Sequence, residues 1–105
     1  MSTTFTSTDY SNAGSPAVFT IPSSFTTIAD DAFLNLTTLT SITIPNTITS
    51  IGNYAFKQTT NLDTVIFEEN SVLATIGVAS FQNLTKLTSI TIPNSVTSIE
   101  QYAFD

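Results

Sequence analysis

At 105 residues the chain is one domain, and a hydrophobic share of 41% is enough to form a core. Lys57 and Lys86 stand against eight acids for a net charge of −6, which excludes the clustered cations that nucleic acid or an anionic membrane surface requires. With no Cys, no His, three Gly and no apolar run of bilayer length, the sequence offers no thiolate, imidazole base, phosphate loop or membrane insertion, and no cofactor is expected.

In chain order, the first ten residues, MSTTFTSTDY, lack the basic start and apolar stretch of a signal peptide, so either the chain is intracellular or its leader lies elsewhere. Residues 1–16 read in two ways, as a Ser/Thr-rich tail or as a degenerate half-coil in which Phe5 and Tyr10 sit 23 positions before Ile28 and Phe33. Residues 17–105 read as a solenoid. Alternation in Ala17-Val18-Phe19-Thr20-Ile21-Pro22 predicts a short strand, with equivalents at Ser41 to Ile44, Thr64 to Phe67 and Ser89 to Ile92. Proline, having no N–H for a ladder, ends these strands at Pro22, Pro45 and Pro93, while Glu68 follows Phe67 at the same corner. Phe25, Ile48, Leu73 and Val96 are expected to point inward, followed by a second, shorter strand around each Thr-Ser-Ile or its equivalent. Asp30 to Phe33, Asn53 to Phe56, Val78 to Phe81 and Gln101 to Phe104 are each expected to form one tight, locally helical turn.

These elements recur. LTSITIPNTITSIGNYAF, from Leu39 to Phe56, returns as LTSITIPNSVTSIEQYAF from Leu87 to Phe104. Phe33, Phe56, Phe81 and Phe104 are spaced 23, 25 and 23, so the third copy carries a two-residue insertion, at Glu68-Glu69-Asn70. A unit of this length cannot bury its own apolar face and is stable only when stacked on neighbours.

The pattern Leu39-x-x-Ile42-x-Ile44-Pro45-Asn46-x-Ile48-Thr49-Ser50-Ile51-Gly52-x-x-Ala55-Phe56 resembles the BspA-like, or Treponema-type, leucine-rich repeat, over residues of about 17 to 104. The resemblance implies a leucine-rich repeat solenoid of about four coils, with short parallel strands on a concave face. It also implies a non-enzymatic surface protein used in adhesion or other protein contacts, placed outside the cell or on its surface. One departure is that Leu36, Thr59 and Leu84 stand where the family usually has Cys.

Candidate functional residues fall into three groups. On the concave face, Thr20, Thr43, Ile66 and Thr91 form one outward row and Val18, Ser41, Thr64 and Ser89 the next. This uncharged wall is open to three readings: a protein- or glycan-binding face, a hydroxyl array that orders water or ice, and plain β-propensity of Thr. At the ends, Phe5, Tyr10, Asn12, Ala17, Phe19 and Ile21 on one side and Ile92, Ile99, Tyr102 and Phe104 on the other are expected to form a head-to-tail assembly interface. The partner would then be the chain itself and the product a filament or surface appendage. Third, Asn35-Leu36-Thr37 and Asn83-Leu84-Thr85 are N-x-T sequons, open either to glycosylation or to explanation by the repeat alone. The acid pairs Asp30-Asp31 and Glu68-Glu69 fit solvated turns better than catalysis or metal binding, and the insertion fits tolerated length variation better than a contact point.

Overall fold

The computed structural model describes residues 3–105 and is a stack of parallel coils. Two sheets run along the stack. One has three strands, β2 (Val18–Thr20), β4 (Ser41–Ile44) and β6 (Thr64–Phe67). The other has five, β1 (Thr4–Phe5), β3 (Thr27–Ile28), β5 (Ser50–Ile51), β7 (Thr75–Ile76) and β8 (Ser98–Ile99), in the order β1-β3-β5-β7-β8. Every pairing is parallel. The register follows the repeat: Phe5 opposes Ile28, Ile28 opposes Ile51, Ile51 opposes Ile76 and Ile76 opposes Ile99.

Burial follows the alternation of an extended strand. Ile42 and Ile44 in β4 are buried while Ser41 and Thr43 are half-exposed, as a strand covered on one face requires. Between the sheets the phenylalanines form one column. Phe33, Phe56, Phe81 and Phe104 stack with ring centroids 4.8, 5.0 and 5.3 Å apart and planes within 6° of parallel. Phe5 extends the column below Phe33 at 5.5 Å, and Tyr10 meets the same ring edge-on at 5.3 Å. Before each Phe, Ala32, Ala55, Ser80 and Ala103 are all buried, because the backbone bends there over the ring below.

The corners are built of successive tight turns rather than a continuous helix. Each contains residues in the left-handed region: Asp31, Tyr54, Ala79 and Tyr102 in one column, Asn35, Gln58 and Asn83 in another. This geometry turns alternate amides along the stack, so Asp31, Phe33 and Asn35 N–H donate to the carbonyls of Asn53, Ala55 and Lys57 in the next coil. At the flanks of β5 the sense is opposite, with Thr49 and Gly52 N–H donating back to Thr26 and Ile28. Gly52 and Gly77 lie where neighbouring coils approach closely: a Cβ on Gly77 would sit 2.7 Å from the Gly52 carbonyl carbon.

A helix occurs once among the described residues, as α1 (Ser7–Asn12), started by a capping box in which Thr6 and Asp9 bond reciprocally. It stands where later coils have a corner and carries Tyr10 into the core, 2% exposed.

The fourth coil departs from expectation. Its second half pairs normally, β8 on β7, but Ser89 to Ile92 form no ladder with β6, and the three-stranded sheet ends there. The Glu68-Glu69-Asn70 insertion lies beside this break. It leans back on the second coil, where Asn46 donates its backbone N–H to Glu68 Oε1 at 3.0 Å and its side-chain amide to the Glu69 carbonyl at 3.1 Å. The short corner at Pro93-Asn94 has no such bonds to the insertion, and a cavity of about 580 Å³ opens between the two.

Candidate functional site

The outward face of the three-stranded sheet is a grid set by register. Val18, Ser41 and Thr64 lie side by side, as do Thr20, Thr43 and Ile66, at about the 4.8 Å spacing of neighbouring strands. Its hydroxyls are half- to fully exposed, and Val18 and Ile66 are exposed apolar groups at opposite edges, at 71% and 48%. Ser89 and Thr91, expected to extend both rows, are exposed on the unpaired segment instead, and Thr91 lines the cleft. The grid is therefore three strands wide, with the cleft along its β6 edge.

The expected assembly residues divide. Phe5, Tyr10 and Ile21 are 1%, 2% and 0% exposed and belong to the core. Phe19 is half-buried against Phe5 and Tyr10, while Asn12 and Ala17 are exposed. On the fourth coil Ile92 is half-buried, and Ile99, Tyr102 and Phe104 are exposed. The apolar surface expected at both ends of the stack is thus present on the fourth coil, whereas the first coil is covered by β1 and α1.

Asn35 and Asn83 are exposed, with φ of 59° and 63°. Asn is among the residues that tolerate this conformation best, which gives the recurring Asn a backbone reason independent of glycosylation. The acidic pairs are engaged locally: Asp30 Oδ1 accepts from Asn53 N–H at 2.7 Å, Asp31 holds a left-handed corner, and Glu68 caps the Asn46 corner. Among the described residues no three acidic side chains converge, and no helix is long and apolar enough to cross a membrane.

Two features escaped the sequence reading. The insertion was visible as a break in period, yet its leaning toward one neighbour depends on the Asn46 contacts. The left-handed column Asp31, Tyr54, Ala79 and Tyr102 mixes residue types too freely to be recognised.

The family model for the BspA type leucine rich repeat region matches residues 3–105, in six copies. Among solved structures, a leucine rich cell surface protein from Faecalibacterium prausnitzii A2-165 is 36% identical over 84% of this chain, with a TM-score of 0.77. The pneumococcal vaccine antigen PcpA is 27% identical over 80% of the chain, with a TM-score of 0.62. A T. pallidum leucine rich repeat protein, 22% identical over 85% of the chain with a TM-score of 0.64, shares the fold. The chain spans 26% of the first two of these proteins and 54% of the third. No curated protein sequence matches it significantly. Strand register, the phenyl column and the matched repeat agree: the chain belongs to the BspA-type leucine-rich repeat family.

Proposed function

We propose that the chain is a non-enzymatic interaction segment of a cell-surface protein, binding an extracellular protein or glycan through the outward face of β2, β4 and β6. The observation that carries this reading is the grid itself: two rows of small hydroxyl and β-branched side chains in register, uncharged and free of the intramolecular packing that buries the opposite face. Similarity to a cell surface protein of F. prausnitzii and to a pneumococcal vaccine antigen supports the surface location. A regular Thr array also suits ice or ordered water, but Ile66 interrupts the row, so protein or glycan binding is the better reading. The test is binding to immobilised matrix proteins and a glycan array, comparing the parent chain with Thr43→Glu and Tyr102→Glu. Binding abolished by Thr43→Glu and kept by Tyr102→Glu supports the wall; the reverse pattern rejects it.

Head-to-tail assembly is the second reading, favoured by the exposed Ile99, Tyr102 and Phe104 of the fourth coil. Seating a second copy there without displacing its Phe5 and Tyr10 requires the copy's β1 and α1 to stack as an extra half-coil. Light scattering across a wide concentration range decides it, since a monomer throughout removes the filament.

A further inference from the structure

The cleft beside β6 is a different kind of site from the wall. Val65, Ile66 and Phe67 of β6 form one side of the cleft. Thr64 and Glu68 donate their N–H groups to Thr40, just before β4, and to Ile44 within it, and residues of an extended strand alternate in direction. The N–H and C=O groups of Val65 and Phe67 therefore turn away from β4, into the cleft, where β6 has no ladder partner. The far side of the cleft is formed by Thr91 and Pro93 to Ser95; Thr91 belongs to Thr88 to Ile92, which has the same five letters, TSITI, as Thr40 to Ile44, whose last four residues form β4 between two neighbours. Identical letters thus give a strand in one coil and an unpaired segment in another, and the missing element is a ladder partner on β6 rather than strand propensity.

The C-terminal mouth of the cleft is acidic. Glu68, Glu69 and Asn70 line it, and neither Lys57 nor Lys86 does. We infer that the free edge of β6 takes up an extended segment of a partner protein as an added parallel strand, and that this segment carries lysine or arginine at the end lying against Glu68 and Glu69. Main-chain bonds to Val65 and Phe67 hold the strand, and the carboxylates fix its direction and register. The competing occupant is the chain's own Thr88 to Ile92, which would close the ladder if it moved onto β6.

The inference rests on the interaction reading only in needing a partner, and its test does not involve the wall. The probe is a fluorescent, amidated hexapeptide of alternating threonine and valine ending in two lysines, followed by fluorescence anisotropy. Saturable binding is expected, weakened about tenfold or more when the peptide's ladder-facing amides are N-methylated, as loss of one good hydrogen bond implies. The E68Q/E69Q double variant should bind several-fold more weakly. In I66C/T91C, oxidation should tie the fourth coil to β6 and abolish binding, with recovery on reduction; the absence of native cysteine keeps this test clean. Thr43→Glu should bind the peptide as the parent does, which separates this site from the wall. No saturable binding, indifference to N-methylation, or hydrogen exchange showing Ser89 to Ile92 already protected in the free chain would each overturn the inference.

Discussion

The hydroxyl of Thr59 donates to the backbone carbonyl of Phe33, 26 positions earlier, and both residues are fully buried. Thr59 occupies the position held by Leu36 and Leu84 in adjacent coils, so one coil replaces an apolar contact there with a bond between coils. Thr59→Val keeps the shape and removes the donor, leaving a buried carbonyl short of a partner. The expected loss is about 1–3 kcal/mol, read as a lower urea midpoint at unchanged slope.

Ser80 makes the opposite case. Its Oγ is a buried side-chain polar atom with no hydrogen-bond partner, in a column otherwise filled by Ala32, Ala55 and Ala103. Ser80→Ala removes an unsatisfied hydroxyl and should stabilise the chain by about 1 kcal/mol. A midpoint that falls would mean the hydroxyl has a partner in solution.

The phenyl column should grade from interior to end. Phe81 is stacked on both faces and 2% exposed, whereas Phe104 is stacked on one face and 42% exposed. Phe81→Ala should cost about 3–5 kcal/mol and Phe104→Ala less than half as much, compared by chemical denaturation. Equal losses would contradict the stacking order.

Gly77→Ala should destabilise by about 1–3 kcal/mol, because the added methyl would press on the backbone carbon of Gly52 and wedge two coils apart. Thermal unfolding of the variant, with hydrogen exchange localised to Ser50–Ile51 and Thr75–Ile76, checks both size and place.

How much of this was legible beforehand varies with the physics involved. Columns such as Ile28, Ile51, Ile76 and Ile99 follow directly from spacing, since parallel stacking turns a sequence offset into a contact. The helix Ser7–Asn12 leaves little trace: one apolar residue, Tyr10, defines no periodic face, and the Thr6 and Asp9 cap is indistinct among many Ser and Thr. Ser89 to Ile92 could not have been distinguished from Ser41 to Ile44 by any local rule, because the letters are identical and only tertiary context separates them. Of the candidate surfaces, the side-by-side rows follow from the period on three strands, while the burial of Phe5, Tyr10 and Ile21 in the single chain depends on how β1 and α1 fold over the first coil.

The opposed donor directions have an electrostatic outcome. Amides at Asp31, Phe33 and Asn35 face the later coil, and those at Thr49 and Gly52 face the earlier one. These corner and flank amides point in opposite senses along the axis, unlike the amides of an α-helix, which all point one way.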